Sequence, residues 1–284
     1  MSADQTPTDG RRAVFLDFDG TYADHGVVPD AHADAVRRAR ANGHVVLLCT
    51  GRPVSILTPD VTSVFDGVVS SAGARVDLGA ETLADERLDP DVARRAIDVL
   101  ERHEASYCLE APEAMFAPER SIGRLRAMIE ALLDSADAQA SSGARTVLDA
   151  IRVPEDLRAC SFAKISVWDT GNGPGIDAIA DEIGEGLRAL PNSVTGDAAR
   201  SGELQNARID KADGVALVAR HLGLPIEATI GAGDGMNDVG MLEAAGTAIG
   251  IEGAPDAVLA HADLVVPGPA RTGLVGAFER LGLM

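Results

Sequence analysis

Few cysteines, a shortage of basic charge and the lack of any long apolar run set the first limits on this chain of 284 residues. Cys49, Cys108 and Cys160 show no CxxC spacing and sit in or beside apolar stretches. Buried free thiols in a reducing compartment are therefore expected, not disulfides or a zinc site. Lys and Arg total 25 against 44 Asp and Glu, a net charge of -19 that repels nucleic-acid phosphates and anionic membrane surfaces. We expect no nucleic-acid and no membrane partner, and a small anionic substrate would need locally placed cations. No segment approaches the ~20 uninterrupted apolar residues that span a bilayer, and residues 1–12 are polar with no signal-peptide region. A cytoplasmic protein with a frayed amino-terminal tail is the expectation. His25, His32, His44, His103, His221 and His261 lack ligand spacing and read as surface or packing residues. No internal repeat is present.

What is present is ample apolar material, 46% of residues, arranged in short runs that alternate with helical patterns. Residues 13–18, 44–49 and 67–70 read as strands, with helices predicted over 31–42 and from Pro53 onward. The carboxy-terminal part repeats the rhythm, with strands at 228–231, 247–251 and 263–266 and helices at 212–221, 237–245, 255–260 and 272–281. This alternation predicts βαβ units and a parallel sheet. The fold class is thus α/β, a doubly wound parallel-sheet core assembled from both ends of the chain.

The middle differs. Helices are predicted at 91–104, 122–133 and 176–190 and a strand at 163–168, with 171–175 as a tight loop and 134–143 as a solvated linker or helix end. We read residues 1–78 and 197–284 as the core and 79–196 as an inserted α+β unit. Trp168, the one tryptophan, falls in the predicted inserted strand and reads as core, and Arg37-Arg38-Ala39-Arg40 reads as a solvated helix face.

Chemistry concentrates where core strands end. Val14-Phe15-Leu16-Asp17-Phe18-Asp19-Gly20-Thr21 closes an apolar run with two acids two residues apart, which in a strand leave the sheet on one side. Two anions at close range repel unless a cation joins them or one holds a proton. Thr50-Gly51-Arg52 follows the second strand, Lys211 opens a helix, and Gly233-Asp234-Gly235-Met236-Asn237-Asp238 follows the strand near residue 230. Either acidic motif alone could merely end a strand or cap a helix, but their conjunction disfavours a purely structural reading. Gly231-Ala232-Gly233 fails the dinucleotide GxGxxG spacing because Met236, followed by Asn237, occupies the position of the third glycine.

This ordered set resembles the haloacid dehalogenase superfamily of phosphotransferases. The insertion and the run through Met241-Leu242 and Ala244-Ala245-Gly246 are similar to its Cof-type, or IIB, sugar-phosphatase branch. The resemblance implies a phosphatase in which Asp17 attacks phosphorus and Asp19 moves the proton. It also implies Mg²⁺ held by Asp17, the backbone carbonyl of Asp19, and Asp234. Thr50, Gly51 and Asn237 would then hold the phosphoryl group, Thr50 at the amino end of a helix, with Lys211 as a positive charge beside the nucleophile. Asp238 would orient Lys211 or metal-bound water, Gly20 would allow close backbone approach, and Arg52 would reach the substrate or serve structurally. The implied partner is a small phosphorylated metabolite, with a sugar or polyol phosphate expected and the inserted unit acting as a cap. A phosphomutase with the same nucleophile and a non-catalytic binding protein on this scaffold remain open. Two positions depart from the pattern: Tyr22 stands where Leu is usual and must pack at the strand end, and Ala72 stands where the branch carries Asn.

Overall fold

The computed structural model describes residues 10–24, 26–133, 140–191 and 199–284. The expected amino-terminal tail over residues 1–9, His25 and residues 134–139 of the expected linker lie outside the described residues.

Strand β1 (Ala13–Leu16) is apolar throughout because both of its faces are covered. Val14 and Leu16 pack to one side, Ala13 and Phe15 to the other, as the two-residue period of a strand dictates. The same logic recurs in β2 (Val45–Cys49), whereas β3 (Gly67–Ser70), β4 (Arg75–Leu78) and β5 (Glu81–Asp85) become progressively more polar and exposed toward the edge of the sheet. A second sheet follows, built from β6 (Ser106–Glu110), β7 (Met115–Phe116), β8 (Ile151–Arg152), β9 (Lys164–Asp169), β10 (Leu187–Pro191) and β11 (Gly202–Asn206). The chain then returns to the first sheet through β12 (Thr229–Gly233), β13 (Thr247–Ile251) and β14 (Leu264–Val266).

The first sheet runs β14-β13-β12-β1-β2-β3-β4-β5. Its strands from β14 to β3 are parallel, and β4 and β5 are antiparallel additions. Helices Asp30–Ala41 and Gly273–Arg280 cover the Val14 side, and Lys211–His221 and Val239–Ala244 cover the Phe15 side. The doubly wound expectation therefore holds. Chain order reverses between β12 and β1, and open α/β sheets bind ligands beyond the carboxyl ends of their strands at such a point.

The second sheet runs β10-β11-β9-β6-β7-β8. One face carries Tyr107, Leu109, Ile165, Val167 and Leu204 and packs on helices Pro90–Arg102 and Ile176–Ile183. Cys108 and Trp168 lie on the opposite face with Met115, Leu125 and Ala150, and Ile56 of the first unit packs against them, so Trp168 does belong to a core.

The expected limits of the insertion move. Gly79, at φ +58°, turns β4 back into β5, so the first sheet continues past residue 78 to Asp85. At the other end, β11 pairs with β9 and β10, which carries the second sheet past residue 196, itself outside the described residues. The helix expected over 176–190 stops at Ile183, where Gly184 adopts φ +87°, and Leu187–Pro191 is a strand on β11. No long helix follows Pro53. Pro59 forces Thr58 into extended backbone, leaving the 3₁₀ turn Val54–Ile56 and the short helix Pro59–Thr62. Tyr22 packs as anticipated, buried against the edge of Phe65 at 5.0 Å between ring centroids and stacked on His32 at 6.1 Å.

Candidate active site

The carboxyl ends of β1, β2 and β12 bring the separate motifs together. Asp17 continues β1, its N–H donating to the Ala232 carbonyl of β12 at 2.9 Å, and its carboxyl group is almost wholly buried. Asp234 leaves β12 beside it and accepts from Thr21 Oγ1 at 2.7 Å. Gly20 makes this approach possible: at φ +87°, a Cβ added there would lie 2.3 Å from Asp234 Oδ2.

Lys211 enters from below. Asp210 caps its helix through the N–H of Ala212, and the fully buried Lys211 Nζ donates to both Asp17 Oδ1 and Asp238 Oδ1. The other oxygen of Asp238 accepts from the N–H groups of Asp234 and Gly235 at 3.0 and 2.8 Å. Asp238 thus fixes the lysine and the loop at once. Its helix begins at Val239, later than expected, with Asn237 in the 3₁₀ turn Met236–Asp238.

Three carboxylates, Asp17, Asp234 and Asp238, place oxygens within 4.8 Å of one another around one ammonium. Burial and the charge of Asp238 push the Asp17 pKa well above the usual range, against the pull of Lys211. Asp234 is pushed up to about 6, chiefly by burial. Burial works to lower Lys211, but Asp17 and Asp238 outweigh it and hold the ammonium above its ordinary range. The negative excess and the hard oxygen donors fit a divalent cation. The Asp19 carboxylate is not part of this group.

Asp19 instead faces Arg52. The guanidinium donates through two nitrogens to the two carboxylate oxygens, at 2.9 and 3.0 Å, and lies 4.8 Å from the Phe18 ring centroid. Arg52 therefore has a definite partner in the site. Thr50 is buried at the end of β2, and its Oγ1 accepts the Arg52 N–H at 3.2 Å. The helix dipole expected behind Thr50 is absent, since only the short turn Val54–Ile56 follows. Asn237 comes close to Gly51: a Cβ added at Gly51 would lie 3.8 Å from Asn237 Nδ2. Thr50, Gly51 and Asn237 are thus neighbours at the carboxyl ends of the strands.

A family model for haloacid dehalogenase-like hydrolases matches residues 14–278. The chain belongs to that family. Among its relatives is the phosphatase YwpJ of Bacillus subtilis, 24% identical over 279 residues, which cover 89% of this chain and 94% of that protein. The chloroplastic endoribonuclease YBEY of Arabidopsis thaliana is 25% identical over 283 residues. These cover 94% of this chain and 46% of that protein, so the chain spans about half of that relative's length. Among solved structures, the subclass IIB sugar phosphatase BT4131 superposes with a TM-score of 0.75 at 18% identity, covering 96% of this chain and all of that one. It shares the fold.

This hydrolase holds a second buried lysine outside all of its sequence motifs. The chain has only two, Lys164 and Lys211, and both are fully buried. Lys164, on β9, donates to the Gly51 carbonyl at 2.7 Å and pairs with Glu203 at 2.9 Å and Glu110 at 3.3 Å. The scarcity of lysine in an arginine-rich chain was the available signal, because an arginine fork does not fit a site built for a compact ammonium. Among the described residues, no helix is long and apolar enough to cross a membrane.

Proposed function

We propose that this hydrolase is a Mg²⁺-dependent phosphatase that cleaves a small phosphorylated metabolite, a sugar or polyol phosphate, through an aspartyl-phosphate on Asp17. The observation that carries this reading is the buried Lys211 shared by Asp17 and Asp238, with Asp234 alongside, at the strand-order reversal. Asp17, Asp234 and the backbone carbonyl of Asp19 would hold the cation. When bound, it would neutralise negative charge on the phosphoryl oxygens and on the carboxylates.

A phosphate monoester resists an anionic nucleophile because its oxygens repel the attack, so positioning and charge neutralisation govern the rate. An Asp17 oxygen attacks phosphorus, the bond from phosphorus to the ester oxygen breaks, and Asp19 gives that oxygen a proton. Water then attacks the phosphorus of the aspartyl-phosphate, loses a proton to Asp19, and releases phosphate and free Asp17. The net change is ester plus water to alcohol plus inorganic phosphate. Lys211 holds Asp17 in place, while Thr50, the Gly51 backbone and Asn237 receive the phosphoryl oxygens. Asp19 can serve only when its pair with Arg52 opens toward the substrate.

The second sheet would act as the cap, and the protein would work on a soluble metabolite in the cytoplasm without nucleic acid. With p-nitrophenyl phosphate and Mg²⁺, wild-type protein is expected to release p-nitrophenol, and Asp17→Asn is expected to lose at least about 10³-fold in rate. Turnover by Asp17→Asn at the wild-type rate would refute the assignment.

A further inference from the structure

Lys211 is the first residue of its helix, and a helix end is the part that its own backbone bonds secure least. Its Nζ must nevertheless stay between Asp17 and Asp238. The preceding residue supplies part of the hold. Asp210 Oδ1 accepts from the Ala212 N–H at 2.8 Å, and the Asp210 N–H donates to Asp213 Oδ2 at 2.9 Å, a reciprocal cap. Two glycines wall Asp210 in on the side of the first sheet. A Cβ added at Gly73 would lie 1.9 Å from its carbonyl oxygen, and one added at Gly240 would lie 2.8 Å from its Oδ2.

Contact from the second sheet reaches the same residue. β11 ends at Asn206, and the chain comes to Asp210 through a turn in which Asn206 Oδ1 accepts from the Arg208 N–H at 3.0 Å. Arg188 of β10 donates through Nη2 to the Ile209 carbonyl at 3.1 Å, and the same nitrogen lies 3.8 Å from Asp210 Oδ2. Register sets Arg188 opposite Gln205 and Gln205 opposite Lys164, so Arg188 and Lys164 issue from one row of the second sheet. Lys164 holds the carbonyl of Gly51, next to Thr50, while Arg188 holds that of Ile209, two residues before Lys211. The Arg188–Asp210 pair is long and its side chains are 37% and 34% exposed, so it adds little to stability. What it fixes is where the helix begins.

We propose that Arg188 is a positioning residue for Lys211: through the Ile209 carbonyl and Asp210 it ties the start of the Lys211 helix to the seat of the second sheet. This rests on the phosphatase reading for what Lys211 does to Asp17. Removing the guanidinium leaves Thr50, Gly51 and Asn237 in place, so substrate binding is kept while the nucleophile loses its alignment. A misaligned nucleophile lowers kcat and kcat/KM together. Arg188 Nε is buried without a partner, so a lysine at this position gives up no bond there and keeps a donor for Ile209.

Because Lys164 and Lys211 are the only lysines, protein labelled with ¹³C at lysine Cε gives two side-chain signals by NMR. Glu203→Gln, which alters the ion pair of Lys164, assigns them. Arg188→Ala should shift the Lys211 signal and leave that of Lys164 in place. It should also lower kcat for p-nitrophenyl phosphate with Mg²⁺ by about 10-fold and keep KM within about 2-fold. Arg188→Lys should restore both readings, and Arg188→Gln stands in should Arg188→Ala not fold. An unmoved Lys211 signal, equal shifts of both signals, an unchanged kcat or no recovery in Arg188→Lys overturns the proposal. Absence of p-nitrophenyl phosphate hydrolysis by wild-type protein would strike the phosphatase reading instead, while the lysine signals still read the tie to Lys211, so the two failures are separable.

Discussion

Lys211 is the residue on which the site's electrostatics turn. It is fully buried between Asp17 and Asp238, so its removal strands two carboxylates in a medium that solvates them poorly. Lys211→Met should lower unfolding stability by about 3–5 kcal/mol, read from the urea midpoint at neutral pH without metal. A shift below about 1 kcal/mol would mean that the pair is not buried in solution. Cys49, nearby and also buried, has its thiol pushed up to about 12, chiefly by burial, which makes it packing material and not a second nucleophile. Asp19 has a separable task. Acetyl phosphate already carries a good leaving group, so Asp19→Asn should slow alkyl phosphate hydrolysis by about 10²–10⁴-fold while still forming the phosphoenzyme from acetyl phosphate.

The loop after β3 shows how an element holds such a residue in place. Ser71, Ala72 and Gly73 all have positive φ, and a Cβ at Gly73 would lie 1.9 Å from the Asp210 carbonyl, at the cap of the Lys211 helix. Gly79 is also left-handed, at φ +58°, but nothing lies within 4 Å of its added Cβ. Gly79→Ala should therefore cost only the conformational term, about 1–2 kcal/mol, whereas Gly73→Ala should cost more and lower kcat as Lys211 shifts. Equal losses in denaturation and unaltered kcat would contradict the packing of this loop on Asp210. Ala72, where an Asn was expected, sits at φ +55°, a conformation Asn tolerates more readily.

These same elements explain what the sequence could disclose. The motifs at Asp17, Thr50 and Asp234 follow Ala13–Leu16, Val45–Cys49 and Thr229–Gly233, strands whose burial on both faces makes them easy to read. The second sheet offers no such pattern. Gly202–Asn206, Gly-Glu-Leu-Gln-Asn, carries one apolar side chain and is a strand only through its partners β9 and β10. The pairing of Lys164 with Glu203 depends on that strand, and the Arg52 pair with Asp19 needs the spatial meeting of two loops.

For the molecule as a whole, the two sheets meet through Lys164 on Gly51 and through Ile56 in the core around Cys108 and Trp168. Cation binding at the first sheet should raise global stability. At 100 times Kd, Mg²⁺ should add about 2.7 kcal/mol, seen as a higher Tm that EDTA reverses and Asp234→Asn abolishes. The pH response below neutrality should depend on His32, buried against Tyr22 and donating through Nδ1 to the Tyr22 carbonyl in the neutral form. Burial holds its pKa below 6.5, so the unfolded chain takes up the proton first. Its contribution is complete above pH 6.5 and is lost as pH falls through the lowered native value. His32→Gln should flatten that limb of the stability profile, and an unchanged limb would assign it to other groups.

Chemical trapping of the intermediate tests the central claim most directly. Asp19→Asn protein incubated with acetyl phosphate and Mg²⁺, quenched in acid, reduced with borohydride and mapped by peptide mass spectrometry should carry homoserine at position 17. Turnover of acetyl phosphate with an unmodified Asp17, or with the reduced residue at another aspartate, would contradict it.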